Sequence, residues 1–423
     1  MKEISEWLEG QAELGEIDSQ GEFTLDPEAA WKKLGAKGLP RDFAWVGKLV
    51  QAANRSGVSL DLKQSRDESV FEFGVGPAWT HEQVSETVFR PFRNKDDALG
   101  HFAVAVRTLV ASAFGFRFWL QYPDGTRATW SGERFELSQP RRGGLLPLSL
   151  GVSCHLSSQE EIRQPFVVRA DISKELHSLA QWSPRPIRID SREISNILED
   201  PKFSSSQSRQ PLCLITAPTR EGQVRLKLRA RFTPRGSSTS VNSQPLDAHL
   251  RKAIKELADG VFAVGLVTHF LPTESSNARP ASEFVWVCDG VEVMREPLPI
   301  KMDSMAILIA CSAEGLKTDV TGLTLRQSKS KEARKREALG AIVQRYPDTT
   351  DDEDDFKITS QTVKGVEVVV AALAFAVSPF LGMFLTAGAA WWARAKAENN
   401  KEIIASIKSE FHALKVALVQ LAI

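Results

Sequence analysis

The chain has 423 residues, more than one hydrophobic core normally holds, so we expect two or three domains. Its 53 lysines and arginines balance 53 aspartates and glutamates, which argues against nucleic acid as a partner. The four cysteines lie far apart and never at CxxC or metal-ligand spacing, so we predict no metal site and a reducing, cytoplasmic compartment.

The first predicted elements are two helices. Asp26 and Pro27 form a start signal, an N-cap followed by proline at the first helical position, for a helix over 27–34. Apolar residues on one face predict a second helix over 43–53, and Gly57 ends it. The residues before these helices are polar and acidic, and they lack the basic and apolar stretches of a secretory signal.

Alternating and helical patterns complete a first unit, predicted over 20–140. Two half-buried strands are expected over 58–62 and 70–73. They are followed by two helices and three strands, over 80–89, 95–111, 116–122, 127–130 and 134–137. These patterns predict helices packed against a sheet.

A second α/β unit is predicted over 141–325. It should begin with a strand at 166–168, a helix at 174–182 and a strand at 186–189. A Ser- and Gly-rich run at 236–240 is interpreted as a flexible surface insertion. Three further strands are expected over 261–269, 284–288 and 305–310. The predicted fold class is therefore α/β, an α+β sandwich of two units.

A charged helix over 328–345 and an acidic run at 351–355 fill the region 326–363. The like charges of the run repel one another, which is typical of a solvated linker. The helix carries a basic cluster interleaved with glutamates, and we interpret the cluster as a solvated face rather than a phosphate-binding patch. Its members are Lys329, Lys331, Arg334, Lys335 and Arg336.

The region 364–396 contains an uncharged apolar segment, residues 368–392. As one helix it would span about 37 Å at ~1.5 Å per residue, enough to cross a bilayer core of about 30 Å. Trp391 and Trp392 at one end, followed by cations, match an interfacial aromatic belt. We therefore predict a cytoplasmic head anchored to an inner membrane. Pro379 divides the segment, so a hairpin that is re-entrant, lies in one leaflet or is buried in protein is the alternative.

An amphipathic helix is predicted over 397–423. Its apolar residues recur every three or four positions from 404 to 421, and Val416 and Val419 widen the stripe. Such a stripe predicts either packing onto the head or association with a protein partner, including a second copy of the chain.

The order helix, glycine, strand, strand, Gly-x-Gly, helix between Asp42 and Phe89 resembles the nucleotide-binding core of the GHKL (Bergerat-fold) ATPases, and in particular their bacterial Hsp90-like members. Three later segments extend the resemblance to about residue 325: Trp182–Ile189, Trp286–Val291 and Gly315–Gly322. The resemblance implies a GHKL-like domain over 20–140 followed by an S5-like domain over 141–325.

In that family a helix reading roughly E-L-x-x-N-x-x-D-A-G-A supplies a general-base glutamate and a magnesium-binding asparagine. Aligning Gly57 with the motif glycine puts Lys48 in the glutamate position and Ala52 in the asparagine position. A charged lysine cannot accept a proton from water, and alanine has no oxygen for Mg²⁺. The resemblance therefore implies no catalytic residue, no metal site and no obligatory cofactor.

The family's second motif, D-x-G-x-G, holds the adenine, and here it reads Glu72-Phe73-Gly74-Val75-Gly76. If the cleft is functional, the resemblance implies that Glu72, Gly74 and Gly76 bind the nucleotide. A shifted alignment would bring in Asn54 as well. Gly74 and Gly76 could instead serve only a turn after a strand.

Three functions are compatible with these patterns. The first is a membrane-associated, catalytically degenerate GHKL protein that acts as a binding or assembly module. The second is an active Hsp90-like chaperone that uses ATP and Mg²⁺. The third, which rests on architecture alone, is a membrane-acting effector of a bacterial defence system.

Overall fold

The structure is a computed structural model that describes most of the chain between residues 43 and 346 and a C-terminal helix. The described residues are 43–66, 68–75, 79–89, 97–111, 115–130, 135–138, 149–155, 165–194, 209–217, 224–225, 244–258, 263–270, 281–318, 323–346, 405–406 and 408–422. They form two sheets with helices packed on them, so the predicted α/β fold class is confirmed.

The first sheet has eight described strands in the order β5-β4-β3-β6-β2-β1-β7-β8. In chain order they are β1 (Leu60–Gln64), β2 (Glu68–Gly74), β3 (Gly115–Gln121), β4 (Arg127–Trp130), β5 (Phe135–Ser138), β6 (Ser149–His155), β7 (Ile187–Ile189) and β8 (Arg192–Glu193). The helices of this unit are α1 (Trp45–Arg55), α2 (His81–Phe89), α3 (Ala98–Ala111) and α4 (Pro165–Leu179). Side chains from these helices and from one face of the sheet share one hydrophobic core.

The contact of α1 with the sheet shows how the sequence builds this core. Alternation along β2 buries Phe71 and Phe73 on the helix side. Trp45 of α1 meets Phe71 edge to face, with ring centroids 5.4 Å apart. The helix ends before Gly57, whose φ of +74° is the left-handed conformation that favours glycine after a helix. The predicted helix over 43–53 and strands over 58–62 and 70–73 are confirmed.

The first sheet continues beyond residue 140, where the sequence analysis placed the end of the first unit. β6 lies between β2 and β3, and β7 pairs in parallel with β1. The segment 186–189, expected to open the second unit, is therefore a strand of the first sheet. Parallel pairing between positions so far apart depends on the whole topology and has no local sequence signal.

The strand predicted at 166–168 is wrong, because these residues lie in α4. A Phe-Val-Val run favours a strand locally. However, Val168, Ile172 and Leu176 recur at helical spacing and are buried in the first core. Phe166 lies outside this stripe and is 58% exposed.

The second sheet has six described strands in the order β10-β9-β11-β14-β12-β13. They are β9 (Arg209–Ala217), β10 (Val224–Arg225), β11 (Ala263–Phe270), β12 (Ala281–Cys288), β13 (Val291–Lys301) and β14 (Met305–Ser312). Helix α5 (Gln244–Ala258) packs on one face, and α6 (Lys329–Arg345) packs on the other. The strands predicted over 261–269, 284–288 and 305–310 are confirmed as β11, β12 and β14, whereas β9, β10, β13 and α5 were not predicted.

The C-terminal helix, residues 408–422, packs on the α6 face of the second sheet. Phe411, Leu414 and Leu418 are buried there. Tyr346 Oη donates a hydrogen bond to the Phe411 carbonyl at 3.2 Å, and Glu410 accepts from the backbone and hydroxyl of Ser304. The sequence left open whether this stripe packs onto the head or associates with a partner. In the structure, these three residues pack onto the head.

Two predictions about surface residues are wrong. Val416 and Val419 do not widen the buried stripe, since they are 44% and 37% exposed. Lys331 does not belong to a solvated face, since it is 1% exposed. Its amine pairs with the Glu296 carboxylate of β13 and lies 5.9 Å from the centroid of the Trp286 ring. A buried lysine requires such a partner, and this one comes from a distant strand.

Several predictions lie outside the described residues. They are the helix over 27–34, Gly76, the insertion at 236–240, the acidic run at 351–355 and the apolar segment at 368–392. Within the described ranges, no helix is both long and apolar enough to cross a membrane.

Candidate functional site

The two sheet units meet where the β12–β13 hairpin turn contacts α1. Asp289 and Gly290 form the turn with φ values of +51° and +73°, the backbone that a two-residue Asp-Gly hairpin turn requires. A Cβ on Gly290 would lie 2.5 Å from Asn54 Nδ2 and 2.6 Å from Pro184 Cδ. Only glycine fits this close approach, so the turn is held tightly against the first unit.

Asn54, near the end of α1, fixes the backbone of this turn. Its Nδ2 donates to the Asp289 carbonyl at 2.8 Å, and its Oδ1 accepts from the Ser183 hydroxyl at 2.8 Å. Both ends of the amide are therefore engaged in holding the two units together.

A buried polar network begins at Lys48, which is 2% exposed. The Lys48 amine donates to Gln51 Oε1 at 2.8 Å, and Gln51 Nε2 donates to the Cys288 carbonyl at 3.1 Å. The same amine lies 3.4 Å from His101 Nδ1, and His101 Nε2 lies 3.0 Å from Asp289 Oδ2. The network thus connects α1 and α3 of the first unit to the hairpin of the second.

The tautomer of His101 follows from its neighbours. A lysine amine offers only protons, so Nδ1 has to accept and Nε2–H has to donate to the Asp289 carboxylate. Arg55 closes the outer end of the network: its Nε lies 2.5 Å from Asp289 Oδ1 and its Nη2 lies 3.0 Å from Glu314 Oε1. The buried carboxylate therefore faces two nitrogen donors.

A cavity of about 220 Å³ opens beside this network. Its wall combines the end of α1, the segment 182–185, the last turns of α5, the β12–β13 turn and the end of β14. The cavity is therefore built from both units. Asp289 belongs to its wall and to the buried network.

The structure does not bring the predicted nucleotide residues together. Glu72 lies on the face of β2 opposite Phe71 and Phe73, whereas Asn54 is on α1, which packs on the other face. The Glu72 carboxylate accepts from the Lys63 amine at 2.5 Å, and this hydrogen bond, reinforced by the opposite charge, raises the pKa of Lys63. Gly74 is the last residue of β2. Nucleotide binding itself stays a prediction.

Sequence reasoning missed the central members of the network. The scattered histidines carry no motif, so the sequence alone predicts satisfied or solvent-facing imidazoles and gives no hint that His101 lies between the units. Asp289 and Gly290 carried a usable signal, since Asp-Gly between two apolar runs predicts a hairpin turn. Cys213, Cys288 and Cys311 are buried, and burial raises the pKa of the Cys311 thiol to about 12.

A scan against protein-family models and a search of curated proteins both return no match. Among solved structures, the chain is similar to the ATPase region of Saccharomyces cerevisiae topoisomerase II, with a TM-score of 0.37 and 9% sequence identity. The similarity covers 68% of this chain and 78% of that chain. A similarity of this size assigns neither a family nor an activity.

Proposed function

We propose that the protein is a catalytically degenerate GHKL-like module that acts by binding or assembly rather than by ATP turnover. The observation that carries the proposal is the position of Lys48. The GHKL resemblance places this residue where the general-base glutamate would stand, and its amine is buried among Gln51 and His101. Both of these residues continue the polar network to the second unit, Gln51 through the Cys288 carbonyl and His101 through the Asp289 carboxylate.

The chemistry of Lys48 argues against turnover. A general base must offer a lone pair to the proton of the attacking water. A protonated amine offers only donors, and the acceptors of the Lys48 amine include Gln51 Oε1 and His101 Nδ1. Exchanging these contacts for a nucleotide would leave buried polar groups without partners, which is costly.

Magnesium capture meets a similar obstacle. Ala52, in the asparagine position, is fully buried and has no side-chain oxygen. Asn54, the other candidate, already accepts from Ser183 and donates to Asp289. Recruiting its oxygen for Mg²⁺, which requires oxygen ligands, would break the contact with the turn.

Calorimetry with ATP and Mg²⁺ on the full chain tests the proposal, and we expect neither metal-dependent binding nor turnover. The variants Glu72→Ala and Asp61→Ala form a matched pair, because the two carboxylates are cross-strand neighbours on β2 and β1. ATP hydrolysis that is lost in Glu72→Ala and retained in Asp61→Ala would overturn the proposal and favour an active ATPase.

We also propose that the module is attached to an inner membrane through residues 368–392, on the basis of their uncharged sequence. The double variant Leu373→Arg/Phe384→Arg should move the protein from the membrane to the soluble fraction, because a central charge costs about 2.5–3.5 kcal/mol in a membrane helix. Thr349→Arg/Thr350→Arg, which places the same charges next to the acidic run, is the control. A wild-type protein found only in the soluble fraction would refute the attachment.

A further inference from the structure

The cavity between the two units has an excess of positive charge. Three cationic and two acidic side chains line it. Arg55 contacts both acids, Asp289 and Glu314, at 2.5 and 3.0 Å. Arg185 and Lys255 have no acidic partner among the described residues. Both are exposed, and both are available to an anionic occupant of the cavity.

Apolar side chains also line the cavity. Trp182, Ile254, Leu257 and Val287 line it and are themselves buried. A volume of about 220 Å³ corresponds to roughly seven water molecules at about 30 Å³ each. The space suits a compact molecule with one ring and one acidic group.

We propose that this cavity binds a compact organic anion, with its apolar body against Trp182, Ile254 and Leu257 and its carboxylate or phosphate group towards Arg185 and Lys255. The proposal names a ligand class for the binding module and holds whether or not the chain hydrolyses ATP. Of the predicted nucleotide residues, Asn54 lines the cavity, whereas Glu72 and Gly74 do not.

Such a ligand would contact both units at once. The cavity wall includes the end of α1 from the first unit and α5, β12 and β14 from the second. A molecule that binds only the assembled wall stabilises the native state by mass action. Binding should therefore raise the melting temperature and hold the hairpin turn against α1.

Thermal unfolding of the full chain at constant ionic strength tests the proposal with three probes. Phenyl phosphate and benzoate carry a ring and an acidic group, and the larger shift identifies the preferred acid. Benzyl alcohol carries the ring without the charge. We expect a saturable rise in Tm of several degrees with at least one anion and none with the alcohol.

The variant Arg185→Gln/Lys255→Gln should abolish the anion-dependent shift, whereas Lys252→Gln, on the same helix but outside the cavity wall, should retain it. A second readout is the indole N–H signal of Trp182 in NMR spectra, assigned with Trp182→Phe, which should move on titration with the anion. If the two cations serve only the C-terminal ends of α1 and α5, the double variant will lower the ligand-free Tm and wild type will show no saturable shift. That result, or an unchanged shift in the double variant, would overturn the proposal.

Discussion

Gly290→Ala should destabilise the protein by about 2–5 kcal/mol, because the new methyl group adds overpacking to backbone strain. The Cβ would lie 2.5 Å from Asn54 Nδ2 and 2.6 Å from Pro184 Cδ, and the φ of +73° disfavours any L side chain. The hairpin turn has to withdraw from α1 to relieve these contacts, which weakens the hydrogen bonds of Asn54 and Gln51. Urea unfolding of wild type and variant measures the effect.

Gly315→Ala is the matched control for this prediction. Gly315 has nearly the same φ, +74°, but a Cβ there would meet nothing within 4 Å. Its cost should be backbone strain alone, about 1–2 kcal/mol. The difference between the two variants isolates the contact between the units, and equal costs would contradict the tight docking of the turn.

Glu296→Ala should cost about 3–5 kcal/mol, because it leaves the Lys331 amine buried without its counter-charge. The Glu296 carboxylate contacts the amines of Lys331 and Lys335, and Lys331 is 1% exposed. The double variant Glu296→Leu/Lys331→Met removes both buried charges and should recover most of the loss. Glu337 is an exposed carboxylate on α6, the helix that carries Lys331. Glu337→Ala should change stability by less than about 0.5 kcal/mol.

The same pair sets a pH dependence that provides a second measurement. Burial raises the pKa of Glu296, but hydrogen bonds from Lys331 and Lys335 outweigh it, so the pKa lies below its ordinary value of 4.5. The stability contributed by this group is therefore fully present above pH 4.5 and is lost as the pH falls through the folded-state pKa. Glu296→Gln should flatten the acid limb of the stability curve, and an unchanged limb would contradict the assignment.

Local sequence patterns predicted most elements of the first unit but few of the contacts between the two units. The elements from α1 to β5 follow from helical spacing, alternation and turn residues, which are properties of short windows. The position of β7 beside β1 and the burial of Lys331 depend on contacts with strands distant in sequence. A short stretch of sequence therefore cannot predict them. Phe166 to Val168 shows the opposite case, in which a correct local preference for a strand was overridden by helical burial of the longer segment.

The candidate site shows the same division. Lys48 and Ala52 were recognised as substitutions because the resemblance supplied a template for that helix. Lys48 contacts His101, which is 53 positions away, and His101 contacts Asp289, which is a further 188 positions away. Only the Asp-Gly turn offered a local signal. That this turn packs against α1 is seen only in the three-dimensional structure, through its contact with Asn54.

The hydrogen bond between Tyr346 and Phe411 constrains how the protein can meet a lipid bilayer. It places Tyr346, at the end of the second unit, beside the C-terminal helix. A single passage of residues 368–392 through a bilayer would leave that helix on the far side from its docking surface. Insertion with the helix docked therefore demands entry and exit through the same leaflet, whereas one full passage demands undocking and exposes the Phe411, Leu414 and Leu418 face.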